Sequence, residues 1–112
     1  MILGVHAWGG YAEYVKVPVD MTHTIPDRVD FVTATVVARH GPTALSMLRD
    51  FATVKADDWV LVMGASGGLG SAGVQVAKGL GARVIAAAGA DERVRAAVDL
   101  VRMPASITGP GI

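Results

Sequence analysis

The chain has no cysteine, which excludes a disulfide framework and any thiolate metal site. It also has no net charge. Ten basic and ten acidic residues cancel, so there is no electrostatic footprint for nucleic acid or an anionic membrane. No apolar run approaches the length that spans a bilayer, and the start lacks the charged head of a signal peptide. The fourteen glycines follow no collagen-like period. A reducing cytoplasm is the default location these absences leave. What is present is apolar: of 112 residues, 52% are hydrophobic and only 18% charged. So short a domain exposes much of its surface and should be more polar than average. The excess points to surface that is covered by further chain or by a partner.

Along the chain, Tyr11 to Pro18 (YAEYVKVP) sets Val15 and Val17 against Tyr14 and Lys16. That alternation predicts a strand after the Gly9-Gly10 turn. Ile25-Pro26-Asp27 ends the extended run. Asp30 is placed to N-cap a short helix over Phe31 to Ala38, and Gly41-Pro42 punctuates it. Thr43 to Phe51 carries Leu45, Leu48 and Phe51 at helical spacing, and a loop follows at Lys55 to Asp58. Trp59 to Met63 (WVLVM) reads as a strand buried on both faces of a parallel sheet. A glycine-rich turn, Gly64 to Gly70, leads into a helix over Ser71 to Leu80, stopped by Gly81 as a left-handed C-terminal residue. Arg83 to Ala88 is a second apolar strand. Asp91 to Leu100 is a second helix, with Val94, Val98 and Val101 on one stripe. Strand, glycine turn, helix, strand, helix is the opening of a doubly wound α/β sheet.

The turn carries the chemistry. Ala65-Ser66-Gly67-Gly68-Leu69-Gly70 is a G-x-G-x-x-G fingerprint with alanine in the first glycine place. A small first residue permits the tight turn, Gly67 lets the backbone approach a pyrophosphate, and Gly70 lets the helix pack closely. The free N–H groups at the helix start then face the anion. Gly73 and Ala77 extend the small face of that helix. Its place between a buried strand and a returning helix is the context that gives the motif meaning. A P-loop is excluded, because no Gly-Lys-Ser/Thr follows. The second strand ends Ala88-Gly89-Ala90, with no carboxylate at its tip, and Arg93 stands just beyond. A missing acid with a nearby arginine favours the 2′-phosphate of NADPH. The alternative is a solvated Arg93, with Asp91 or Glu92 reading the ribose as in NAD sites.

His6, His23 and His40 lack zinc-site spacing. His40 is near the expected cofactor cleft, where a hydrogen-bonded structural or surface role is favoured over substrate contact. Trp8, Tyr11 and Tyr14 are expected in a core or domain interface.

GGYAEYVKVP, IPDRV, HGPTAL and WVLVMGASGGLGSAGVQVAKGLGARVIAAAG resemble the medium-chain dehydrogenase/reductase superfamily. Within it they are most like the zinc-independent NADPH:quinone oxidoreductases, which include ζ-crystallin. The resemblance runs from about Gly9 to Leu100. It implies that residues 1–26 are the end of a GroES-like substrate domain and that residues 27–100 are the first half of a Rossmann domain. It implies hydride transfer from NADPH to a quinone or an activated alkene, without a metal. Ser66 to Gly70 would hold the pyrophosphate. Gly89 and Arg93 would sit at the adenosine ribose phosphate, with arginine in place of the family's usual lysine. Thr43, in the Gly-Pro-Thr-Ala turn, would lie near the nicotinamide. No catalytic acid or base is assigned.

The sequence departs from the family in two ways. The family's chains are about three times as long, so unpaired strand edges and apolar faces are expected here, together with little turnover by this chain alone. The tail, residues 101–112, reads VRMPASITGPGI where the family has Gly-Ala-Asp and then Asn-Tyr. With suitably chosen codons, a stretch encoding GADAGINYRTGD reads VRMPASITGPGI throughout once its first base is dropped. A single-base deletion is therefore the expectation for the tail. The competing reading is a non-catalytic module that binds cofactor or self-associates through its open sheet edge. A short-chain dehydrogenase is disfavoured, because neither Tyr11 nor Tyr14 has a lysine four places on.

Overall fold

A computed structural model of the chain describes residues 2–4, 8–89 and 91–102. Two compact units divide it, Met1–Arg39 and His40–Ile112. In the first, β1 (Ile2–Gly4) pairs antiparallel with β2 (Thr22–Thr24), Leu3 opposite His23. A 3₁₀ turn over Val19–Met21 leads into β2 and is tied by the Thr22 hydroxyl donating to the Val19 carbonyl at 2.7 Å.

The strand expected over Tyr11 to Pro18 does not form. The segment bends at residues 11–13 and has no regular secondary structure over residues 14–18, and Trp8, Tyr11 and Tyr14 are exposed rather than in a core. Alternation supplies a face only when a neighbouring strand supplies hydrogen bonds. Among the described residues none does.

Helix α1 (Phe31–Leu45) starts where the sequence indicates. The Asp30 carboxylate accepts from the Thr33 N–H and from the Thr33 hydroxyl, both at 2.8 Å. These bonds, the backbone one first, hold the Asp30 carboxyl below its usual range. The helix does not stop at Gly41-Pro42 as expected. Pro42 lies inside it, and the chain continues as a π-helical stretch over Ser46–Phe51. The proline break is therefore overridden, and Thr43 sits on a helix instead of a turn.

The second unit is the α/β part. Strands β3 (Trp59–Met63) and β4 (Arg83–Ala87) are parallel and in register from Trp59 opposite Arg83 to Met63 opposite Ala87. Their starts are stitched by Asp57 N–H to Gly81 O at 3.0 Å and Arg83 N–H to Asp58 O at 2.7 Å. Helix α2 (Gly68–Gly79) connects them, and α3 (Asp91–Arg102) follows. The end of α2 is a Schellman motif. Gly81, at φ +82°, donates to Lys78 O, and Ala82 donates to Ala77 O.

Ala65, Val74 and Ala97 are fully buried, and Val62, Val84, Ala86 and Val101 pack on them. Val98 is half-buried, as the expected stripe requires, while the Val94 side chain lies outside the described residues. β3 is not buried on both faces. Val60 and Val62 point toward α2, but Leu61 is 59% and Met63 72% exposed, with Trp59 and Ile85 also exposed. A fully apolar strand needs a layer on each side, and the described helices α2 and α3 supply one. No helix among the described residues is long and apolar enough to cross a membrane.

The Asp30 cap yields a pH test. Its folded-state pKa is depressed, so its contribution is complete above the ordinary value of 3.8 and is lost as pH falls through the lower folded value. Asp30→Ala should lower the melting temperature at neutral pH. Asp30→Asn, which keeps an acceptor, should retain most of the cap and remove this part of the acid sensitivity. Identical acid profiles for the native chain and Asp30→Asn would contradict the assignment.

Candidate dinucleotide-binding turn

The site is built by register. Because β3 and β4 end level, the chain leaving Met63 turns beside the tip of β4. Gly64 enters at φ +64°, a conformation that glycine adopts without penalty. Ala65, fully buried, donates its N–H to Ala87 O at 3.0 Å and so anchors the turn to the second strand. Gly67 donates to Gly64 O at 2.9 Å and is the N-cap of α2.

With no side chain at Gly67, no side-chain cap covers the helix start, and no acidic residue stands in the first turn. The first intrahelical bond is Ser71 N–H to Gly67 O at 2.8 Å. The N–H groups of Gly68, Leu69 and Gly70 therefore precede the helical ladder, at the positive end of the helix dipole.

Gly70 has the sharpest steric constraint. A Cβ there would lie 2.7 Å from the Gly64 carbonyl carbon and 2.9 Å from Ala65 Cα, backbone atoms that cannot step aside. This is the close approach that the fingerprint glycine is expected to permit. At Gly73 a Cβ would meet Val62 Cγ1 at an ordinary 3.7 Å, and Ala77 is fully buried.

An open cleft of about 610 Å³ brings four of the anticipated residues together, Ser66, Gly67, Gly89 and Arg93, with Glu92 and Ala96 beside them. Leu69 and Gly70 line a different cleft, and Ala65 and Gly68 line neither. Both Glu92 and Arg93 are exposed there, so the acid and the base weighed for the ribose share one cleft. The Asp91 side chain lies outside the described residues. A second, apolar cleft of about 430 Å³ lies between Met47 and Leu48 on one side and Leu61, Met63 and Leu69 on the other. Gly64 and Gly67 line both clefts, so the glycine turn stands between a mixed space that holds Glu92 and Arg93 and an apolar one.

Thr43 is exposed on α1 and lines neither cleft. Sequence reasoning missed the apolar cleft. Its only signal was Met47 and Leu48, which sit in a helical stretch that looked like ordinary core. His40 is half-buried, with its imidazole against Gly68. Among the described residues no three His, Asp or Glu side chains cluster.

No family model matches the chain. Curated proteins and solved structures do. A quinone oxidoreductase of Sus scrofa is 39% identical over 84 residues, 75% of this chain and 26% of that protein. The quinone oxidoreductase of Thermus thermophilus, solved also in complex with NADPH, has a TM-score of 0.76 and 34% identity. The match covers 81% of this chain and 30% of that one. An NAD-dependent alcohol dehydrogenase has a TM-score of 0.78 and 40% identity, over 82% of this chain and 27% of that one. A highly reducing polyketide synthase of Arthrinium phaeospermum is 36% identical over 97 residues, 87% of this chain. The chain thus spans about a quarter of the curated quinone oxidoreductases and 4% of that synthase.

Gly70→Ala should destabilise the chain by about 1–3 kcal/mol in urea denaturation, the usual cost of forcing an extra carbon into a packed site. Gly10→Ala, with nothing within 4 Å of its Cβ position, should be near neutral. Equal, small effects for both would show that the turn is not tight.

Proposed function

Because the chain belongs to the medium-chain dehydrogenase/reductase superfamily, we propose that it is the phosphate-holding part of an oxidoreductase of the quinone oxidoreductase branch. In this reading it uses NADPH, and a quinone or activated alkene accepts the hydride without a metal. The observation that carries the reading is the cleft that Ser66 and Gly67 of the glycine turn line together with Arg93. The residues present fit a dinucleotide: the turn excludes every side chain at Gly70, leaves the helix start uncapped, and shares its cleft with an arginine.

The N–H groups of Gly68, Leu69 and Gly70, with Ser66, hold the pyrophosphate, and Arg93 pairs with the 2′-phosphate. When bound, the nicotinamide supplies the hydride, and the protein's part is to orient it. Residues 1–26 are read as the end of a GroES-like substrate domain, a reading supported by the antiparallel β1–β2 pair. A chain spanning 26% of its curated relative holds the phosphates without assembling the reacting pair. NADPH-dependent quinone reduction by this chain alone should therefore stay at background.

A second reading has its own support. The bare face of Trp59, Leu61, Met63 and Ile85 favours a self-associating module, in which two copies cover these residues.

Calorimetry separates the readings. NADPH should bind in the micromolar range and more tightly than NADH. Arg93→Gln should cost about tenfold toward NADPH and leave NADH unchanged, the loss of one charge-assisted contact. Weaker NADH binding in Glu92→Gln, with no effect of Arg93→Gln, would instead assign the ribose to Glu92 and the site to NADH. A stable dimer that binds neither dinucleotide would overturn the cofactor reading in favour of the module.

A further inference from the structure

Near its end α1 packs against α2. His40 and Ala44 stand four apart on α1, with Leu48 in the π-helical stretch that continues it. Gly68, Ala72 and Val76 stand four apart on α2 and so share one face. Ala44, Ala72 and Val76 are buried together, with Leu48 and Leu80 packed against them. Small residues let the helices close on one another along this seam. Its last step, at the phosphate end, differs from the rest. An ideal Cβ on residue 68 would lie 2.6 Å from His40 Nε2 and 3.0 Å from its Cδ2. The imidazole therefore occupies the place of a side chain at position 68.

Gly68 has a different reason to be glycine than its neighbours in the motif. Gly64 needs its positive φ, and Gly70 is opposed by backbone. Gly68 lies outside the left-handed region, and the three atoms nearest a Cβ there all belong to the His40 ring. Alanine would suit a helix at this point if the ring were elsewhere. To admit a methyl group, the ring must leave its seat.

We propose that His40 is a positioning residue of the phosphate-binding turn: its imidazole, seated in the place of a side chain at Gly68, braces the first residue of α2 so that the N–H groups of Gly68, Leu69 and Gly70 keep one orientation toward an anion. The proposal rests on the dinucleotide reading above. A helix start held by packing from outside its own chain segment is preorganised, and binding then loses less to ordering. His40 lines neither cleft, so it acts through Gly68 and not on the ligand.

The test is a cycle of the native chain, His40→Ala, Gly68→Ala and the double variant, titrated with NADPH, with ADP and with adenosine 2′-phosphate well below each melting temperature. Either single change unseats the ring. Each should weaken NADPH and ADP by about five- to tenfold, a coupling usual for residues in contact. The double variant should bind no more weakly than the weaker single. Adenosine 2′-phosphate, which lacks the pyrophosphate, should change less than about twofold, within the error usual for independent sites.

Losses that multiply in the double variant would overturn the proposal. So would native affinity in Gly68→Ala, or adenosine 2′-phosphate falling in step with NADPH. If the native chain binds neither NADPH nor ADP, the dinucleotide reading fails by itself. The seat is then judged from melting temperatures: non-additive shifts support it, and additive shifts refute it.

Discussion

The structure of the second unit depends on the approach of α2 to the chain that leaves β3. Gly70 sits so close to the Gly64 carbonyl and to Ala65 Cα that no side chain fits between them. This contact sets how low the helix lies on the sheet. It therefore sets how fully Val74 and Ala77 are buried, and where the first N–H groups of α2 end up. The Ala65 to Ala87 hydrogen bond fixes the other coordinate by tying the turn to the tip of β4. One steric contact and one hydrogen bond thus bring Ser66 and Gly67 opposite Gly89, Glu92 and Arg93. That placement, at the carboxyl ends of parallel strands, is what supports the proposed dinucleotide site.

The same economy leaves the sheet half dressed. Two helices cover one face, and the other face shows Trp59, Leu61, Met63 and Ile85 to solvent. The surface ion pairs do little to compensate. Arg49–Asp50 joins neighbours in sequence, and Arg83–Asp57, at 3.6 Å, is solvent-exposed, which places both among the weak class. Arg83 also lies 5.6 Å from the Trp59 ring centroid, which keeps that exposed indole partly covered. The stability of the unit therefore rests on small-residue packing around Ala65, Val74 and Ala97, and along the Ala44–Ala72–Val76 seam.

Local rules were legible where local physics decides. The Asp30 cap, the Schellman glycine Gly81 and the close approach of Gly70 to Gly64 are set by contacts within a few residues, and each is readable from spacing; the strand WVLVM is readable from its composition although β4 completes it. What failed was long-range. Tyr11 to Pro18 has a strand's alternation but no strand beside it. Gly41-Pro42 reads as a break, but the helix runs through it. The burial of β3 on both faces was inferred from its composition, which records what the strand is suited to, not which layers are present. Of the anticipated residues, Ser66, Gly67, Gly89 and Arg93 line one cleft, and Thr43 and Gly68 line neither cleft. The seat of His40 on Gly68 was not readable, because it joins residues 28 positions apart through a helix–helix contact. The apolar cleft was missed for the same reason: it forms only once Met47 and Leu48 are placed against β3 and the turn.

In the proposed site an anion sits on the backbone of the turn and not merely near it. The most direct measurement is amide NMR of the full chain, titrated with NADPH. The largest shifts are expected at the N–H groups of Gly68, Leu69 and Gly70, with a second set at Gly89 and Arg93 and little change in β1 and β2. Saturable binding that leaves the Gly68 to Gly70 amides unmoved would contradict the proposed site.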